Sequence, residues 1–415
     1  MNETRDLIIG IDFGKKYSQI CYYDRKAEEA RSLPVKVGSS QYETPTCLCW
    51  REEQGDYCVG LEAEYFAREK GGILLENLYE ISRSREKVLV SGEQKEPWEL
   101  LAYFFHGMLK FLGVVEVVRN IRCFTVTTET LDDVQVDNLQ KACRKLGLAD
   151  DRFILMDHEE SFYYYVMTQK LETWNRSVGW YSFNGNEVTF RKMSMNSAVK
   201  PVLVTLAEPV KTKLREEQGE RDEDFCGFIK ETLGKDLYSS IQMNGEGFDQ
   251  EWAQKSVKIL CYQRRKVFYG NNLFAAGACA AGAERFIRHN LKEYRYISNA
   301  VVLTNIGMDM RVMGAPAYCP MIEAGANWYE CRAYCELILD QTEEMVFVVQ
   351  KVGEEEKKRI SMALPGLPKR PERTTRLSVK LQYISREQCQ ITVRDLGFGE
   401  MFPSTGKVWT ETTGW

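Results

Sequence analysis

The chain has 415 residues, a formal net charge of -5, 44% hydrophobic and 28% charged residues, 13 cysteines and 3 histidines. That length suits two or three domains of roughly 100–200 residues each, and the composition is that of a globular protein without the basic footprint of a nucleic-acid binder. No stretch approaches the ~20 apolar residues of a membrane span, and the charged start Met1–Asp6 has no signal-peptide core, so no membrane contact and a cytoplasmic location are expected.

The cysteines are scattered with no Cys-x-x-Cys, and His106, His158 and His289 are the only histidines. This set excludes a zinc centre of well-spaced ligands and a Ser/His/Asp or Cys/His catalytic constellation, and implies reduced, mostly buried thiols.

The first element is a hairpin. Leu7-Ile8-Ile9-Gly10-Ile11-Asp12 is an apolar, β-branched strand running into Phe13-Gly14-Lys15-Lys16-Tyr17, and residues 18–24 leave as a second strand. The turn brings the Asp12 carboxylate to bare backbone N–H groups, an arrangement that cradles phosphate, although Asp-x-Gly also occurs in ordinary hairpins. Short strands are expected near 33–37 and over 45–50 and 56–60, with a short helix at 61–69. Pro97 marks a helix start, and Leu100, Leu101, Phe104, Phe105, Met108, Leu109 and Leu112 recur at helical spacing. Residues 121–127 then read as a strand. The acidic pair Asp132-Asp133 opens a helix closed by Gly147, and 153–156 is the next strand, so this crossover predicts a parallel sheet. Glu159-Glu160 opens another helix.

Residues 177–183 and 187–193 read as a hairpin around Asn184-Gly185-Asn186. A strand over 202–206, a helix at 225–233, a strand at 239–243, a helix through Trp252 and Leu260, and a small-residue helix over 274–283 follow. Beyond about residue 295 the pattern becomes alternating, with strands expected at 300–304, 330–339, 345–352, 358–364, 377–384 and 389–395, and no pattern in the last 15 or so residues.

Taken in this order, the pieces resemble the actin-like ATPase superfamily, and more narrowly the seventy-kilodalton heat-shock chaperones. Ile9 to Ser18 resembles the first phosphate loop. Phe124-Thr125-Val126-Thr127 through Gln135, Ala142 and Gly147-Leu148 resembles the crossover helix, and Asp157-His158-Glu159-Glu160-Ser161 the carboxylate-bearing helix start after it. Gly245-Glu246-Gly247 and Ala276-Gly277-Ala278 resemble the adenosine loop and the helix behind it. Leu364 to Pro371 with the strands at 377–381 and 391–395 resembles the chaperone's peptide-binding sandwich.

The resemblance implies an α/β bilobed actin-like domain, a duplicated ribonuclease-H-like fold, followed by a C-terminal all-β sandwich. The first lobe is 1–176, a shortened second lobe 177–295, and the sandwich 296–415, without a helical lid. It implies ATP or ADP as ligand, held by Gly10, Asp12, Gly14, Lys15, Lys16, Tyr17, Gly185, Gly245, Glu246, Gly247 and Gly277. Asp12 is the metal-holding carboxylate, Asp12 and Glu187 are the catalytic candidates, and protein or peptide is the partner of the sandwich.

The departures bear on chemistry. Lys15 and Lys16 replace two small hydroxyl residues. The second phosphate loop aligns with Ser182-Phe183-Asn184-Gly185-Asn186-Glu187, where the expected carboxylate has become Ser182. A hydroxyl does not supply the charge of a magnesium ligand, which leaves the metal in question. Glu246 repels a phosphate unless turned away, and 192–239 is too short for the subdomain that walls the adenine. Three readings follow: a degenerate pseudo-ATPase that scaffolds or weakly binds ATP, with a sandwich contacting protein or peptide; a working ATPase using Asp12, Lys15 or Lys16 and Glu187; and a small-molecule kinase using Glu159 or Glu160.

Overall fold

Six of the seven residues of Leu7–Phe13 (β1) are buried, which a strand in a mixed sheet reaches only with cover on both faces. The computed structural model describes residues 6–35, 41–262, 265–340 and 344–414. The chain divides into two units, 1–296 and 297–415. After β1, the first unit continues with Tyr17–Asp24 (β2), Glu29–Ser32 (β3), the helix Pro97–Lys110 (α1), Ile121–Thr128 (β4), Asp133–Lys145 (α2), Phe153–Asp157 (β5) and His158–Met167 (α3). It then runs through Ser177–Asn184 (β6), Glu187–Asn196 (β7), Val202–Leu206 (β8), Gln218–Leu233 (α4), Tyr238–Glu246 (β9), Gln254–Leu260 (α5), Lys266–Tyr269 (β10), Leu273–Ala283 (α6) and Tyr294–Tyr296 (β11).

The two large sheets of this unit repeat one plan. Their orders are β5-β4-β1-β2-β3 and β10-β9-β6-β7-β8, with β11 added beside β8. In each, the first strand forms an antiparallel hairpin with the second and lies parallel to the fourth, which lies parallel to the fifth. Asp12 pairs across its hairpin with Gln19 and across the parallel ladder with Thr127. Ser182 pairs in the same two ways with Thr189 and Asn244. The registers therefore place Ser182 at the position in the second sheet that Asp12 holds in the first.

The helices that cover these sheets are exchanged. α3 leaves β5 of the first sheet, and its Phe162, Tyr163, Val166 and Met167 join Val178, Trp180, Met193 and Val204 of the second. α6 leaves β10 of the second sheet and packs Ala275, Ala278, Cys279 and Ala281 onto Ile8, Cys21, Cys123 and Met156 of the first. On the opposite faces, Phe104 and Phe105 of α1 meet Phe13, and Phe225, Phe228 and Ile229 of α4 meet Tyr181, Phe183 and Ile241. The small residues of α6 set how close it comes. A Cβ at Gly10 would overlap the backbone of Ala275 and Cys279, and one at Gly277 would overlap the Ser161 carbonyl.

The α2 crossover is built as its sequence implies: the Asp132 carboxylate caps the helix by accepting from the Gln135 N–H at 2.8 Å. Elsewhere the structure departs from the sequence pattern. β3 ends at Ser32, before the expected strand at 33–37, whose last two positions lie outside the described residues. Gly245 and Glu246 extend β9 instead of forming a loop. Strands at Ile73–Leu75, Val88–Val90, Glu93–Lys95 and Val210–Lys213 are three or four residues long, too short for an alternating pattern to announce them. Among the described residues, no helix is long and apolar enough to cross a membrane.

The second unit holds Thr304–Val312 (β12), Ala315–Ile322 (β13), Arg332–Ile338 (β14), Glu344–Lys351 (β15), Lys358–Ala363 (β16), Arg376–Tyr383 (β17), Gln388–Asp395 (β18) and Val408–Gly414 (β19). They form two antiparallel four-stranded sheets, β13-β12-β15-β16 and β14-β17-β18-β19. The protein is thus an α/β chain with mixed sheets followed by all-β sheets. Alternation is clean in the centre, where Leu377, Val379, Leu381 and Tyr383 are buried on one face of β17. It fails at the edges. β13 carries Pro316 and Pro320, which an edge strand tolerates. β19 has Trp409 as its one buried residue, so the tail without a pattern is a strand held by its backbone ladder to β18.

One buried ion pair ties the loop at 365–371 to this sheet. The Arg370 guanidinium donates to both oxygens of Asp395 at 2.8 Å and to the Pro403 carbonyl. Asp395 also accepts from the backbone N–H groups of Gly397 and Thr405 and from the Thr405 hydroxyl. Burial alone would raise the Asp395 carboxyl, but Arg370 and these donors outweigh it and hold it far below its ordinary value. Its contribution to stability is therefore complete above the unfolded-state value of about 3.9 and is lost as pH falls toward the folded one.

Two expectations follow from this packing. Gly277→Ala should destabilise the first unit by about 1–3 kcal/mol or more through overpacking, whereas Gly227→Ala, at an exposed α4 position with open space around it, should stabilise by roughly 0.5–1 kcal/mol; opposite shifts in urea midpoint test the pair. Arg370→Met should cost the second unit about 3–5 kcal/mol at neutral pH by stranding a buried carboxylate. Thermal unfolding against pH should show that deficit shrinking below about pH 4, and a pH-independent deficit would refute the assignment.

Candidate functional site

Ile8, Gly10 and Asp12 alternate onto the face of β1 that α6 covers, so the Asp12 carboxylate ends a row that begins in the core. Asp157 ends β5 and caps α3, accepting from the Glu160 N–H at 2.8 Å. Its carboxyl is pushed up by burial, against the pull of that backbone donor. The cap sets His158 as the first helical residue, and its Nε2 lies 2.7 Å from Asp12 Oδ1.

The imidazole is held from behind. Its ring stacks on Phe274 with centroids 3.7 Å apart and planes 6° from parallel. Phe274 meets Trp180 edge-on at 5.6 Å, and Trp180 stacks on Phe162 at 4.6 Å. The Trp180 indole donates to Asn244 Oδ1 at 2.8 Å, beside Ser182 in the ladder. A carboxylate, an imidazole, a phenyl ring and an indole thus run in series from the first sheet to the second. The next acid on α3, Glu159, is paired with Arg191 of β7 at 2.8 Å and accepts from the Tyr296 hydroxyl at 3.5 Å. Burial raises its carboxyl, and the Arg191 charge opposes the rise.

The first hairpin turn is exposed. Lys15 pairs with Glu129 at 3.0 Å, and that hydrogen bond raises its ammonium above its ordinary value. Lys16 and Tyr17 face solvent, and the Lys16 carbonyl accepts from the Thr46 N–H. Gly14 permits the tight turn onto Tyr17, whereas Gly10 and Gly277 serve backbone packing against α6 and α3.

The second turn is closed by Arg221 of α4, a buried side chain that donates to the Gly185 carbonyl at 2.7 Å, to the Gly247 carbonyl at 3.0 Å and to Asn186 Oδ1. The Gly185 N–H donates to the Glu246 carbonyl at 2.9 Å, so the turn's donor is already used. Gly245 donates to Asn271 Oδ1 at 2.8 Å. Glu246 is exposed, and so is Glu187, which stands across from Lys213. Among the described residues, no hydrogen bond or ion pair joins Glu187 to Asp12.

Beside Asp12 in the hairpin ladder, Gln19 opens onto a polar cavity of about 770 Å³, lined also by Arg31, Ser32, Tyr42, Glu43, Asn271 and Asn272. Gln19 donates to the Asn271 carbonyl at 3.1 Å and to Glu43 at 3.4 Å. Its own amide oxygen is buried without a partner among the described residues. Sequence reasoning singled out neither Gln19 nor Arg221. Arg221 left a signal, a charge four residues before Phe225 on the buried face of α4.

The family model described as "Family of unknown function (DUF5716) C-terminal" matches residues 29–299. The chain belongs to this family. A second model, "Domain of unknown function (DUF8552)", matches 301–415. A search of curated proteins gives no match. The DUF5716 span includes His158, Ser182 and Arg221 but begins after the hairpin that carries Asp12.

Magnesium fits this site poorly. It asks for near-octahedral oxygen ligands, and here the Asp12 carboxylate is hydrogen-bonded to an imidazole, Asp157 caps a helix, Glu159 is paired with Arg191, and the register mate of Asp12 is a hydroxyl. Among the described residues, no three His, Cys, Asp or Glu side chains gather as a metal ion requires.

The Asp12–His158 pair is a structural contact that substitutions can weigh. His158→Ala should cost about 2–4 kcal/mol, from the vacated space against Phe274 and the orphaned carboxylate. Asp12→Asn keeps a hydrogen-bonding side chain and should cost less than about 1.5 kcal/mol. Urea unfolding followed by tryptophan fluorescence measures both; equal costs would mean the imidazole is not seated as described.

Proposed function

We propose that residues 6–296 form an actin-like, duplicated ribonuclease-H-like fold that has become a pseudo-ATPase, a scaffold that binds nucleotide weakly and does not hydrolyse it. The resemblance in the motifs is supported by two sheets of one strand order that exchange the helices following their fifth strands. The observation that carries the loss of hydrolysis is the contact between Asp12 and His158, opposite a register position occupied by Ser182. Phosphoryl transfer depends on positioned metal and charge neutralisation, and a carboxylate engaged by imidazole is a poor start. Lys15 is drawn off to Glu129, and Arg221 closes the second turn, so neither hairpin presents an open nest.

The second unit is, in this reading, a β-sandwich like that of the chaperones, contacting protein or peptide. Its central strands alternate cleanly, and among the described residues its outer strands β13, β16, β14 and β19 each have a sheet neighbour on one side, which suits partners that add as strands.

Calorimetry of the full chain with ATP and magnesium, alongside a phosphate-release assay, tests the first part. Affinity should be weaker than about 1 µM, with phosphate release at background. Micromolar binding together with turnover abolished by Asp12→Ala would instead establish a working ATPase.

A further inference from the structure

At the other end of α3, roughly 13 Å along the helix from His158, lies a smaller cavity of about 220 Å³. It is bounded by the end of α3, the turn that follows it and the segment after α6. There α6 gives way to a π-helical turn, Glu284–Arg288, and such turns often sit at functional positions.

Glu284 lines this cavity and is 8% exposed. Its Oε1 accepts from the Leu291 N–H at 2.6 Å. Its Oε2 is buried with no partner among the described residues. An unmatched buried carboxylate oxygen is costly enough to call for a donor, preferably a cationic one. Arg288, one turn on, lines the same cavity and has no ion pair or hydrogen bond among the described residues. The remaining walls are largely apolar, with Leu171, Leu291, Trp174 and Tyr294, the last two meeting edge to face at 5.5 Å.

A carboxylate lacking a cation, a guanidinium lacking an anion and apolar walls describe the complement of one small zwitterion. The volume falls below the ~300–1,000 Å³ of pockets for drug-sized ligands, which favours a single metabolite over a peptide. We propose that this cavity binds a free α-amino acid with an apolar side chain. The ammonium group is received by Glu284, the carboxylate by Arg288, and the side chain by Leu171, Trp174 and Leu291. The site is separate from the Asp12 cleft and does not depend on whether nucleotide binds there.

Calorimetry of the full chain with leucine, methionine and phenylalanine tests it, against 3-methylbutylamine, which lacks the carboxylate, and 4-methylpentanoate, which lacks the amine. At least one amino acid should bind, and both analogues should bind at least about tenfold more weakly, since each forfeits one charge-assisted contact. Glu284→Gln retains an acceptor for the Leu291 N–H and should weaken the amino acid by a similar factor, as should Arg288→Gln. No heat with any of the three amino acids at about 10 mM, or an amine that binds as well as the amino acid, overturns the proposal. Should either variant fail to fold, the comparison of ligands on the unaltered chain still decides.

Discussion

The close passage of α3 against α6 is the contact on which the first unit depends. Each helix starts in one sheet and finishes the core of the other, so the two must cross near their middles. Gly277 makes that crossing possible by bringing the Ser161 carbonyl onto bare backbone, and the Ser161 hydroxyl then donates to the Phe274 carbonyl at 2.6 Å. Gly10 does the same for α6 on β1. With three backbones this close, the residues around the crossing have little freedom. Phe274 begins the α6 approach, and its ring is the surface on which His158 rests. The contact between His158 and Asp12 is thus a product of the helix crossing as much as of the two side chains.

The series from Asp12 through His158 and Phe274 to Trp180 joins the two sheets of the unit side chain to side chain. His158 stacks on Phe274 at 3.7 Å, and Phe274 meets Trp180 edge-on at 5.6 Å. Arg221 plays a similar part at the second turn, where three acceptors converge on one guanidinium stacked 4.8 Å from Trp252. The acceptors of that turn are thus satisfied from within the protein. A polar cavity lies around Gln19 and Glu43.

Much of this architecture was legible in local sequence. The β-branched run at Leu7–Phe13, the capped crossover from Asp132 and the Asn184-Gly185-Asn186 turn are short-range signals, and each forms where expected. The alanine-rich segment at 274–283 announced close packing, but not which helix it packs against. The decisive contacts join residues far apart in the chain: Asp12 with His158, Gly277 with Ser161, and Arg221 with Gly185. Such pairs leave no periodicity to read. Two of the four outer strands of the second unit were hidden for another reason. β13 is interrupted by prolines and β19 is almost wholly polar, so both rest on backbone pairing. Gly10 and Gly277 carried the right residue type for close approach, and what they approach is the protein's own helices.

The short strand β11 carries a practical lesson. It lies parallel to Val202–Leu206 and forms the outermost rung of the second sheet. Without it, a β-branched, largely apolar strand would present a bare row of amide and carbonyl groups, a template for sticking to other chains. An expression boundary placed before Tyr294 would therefore invite aggregation even though every helix of the unit was kept, whereas one placed after Tyr296 leaves that margin sealed.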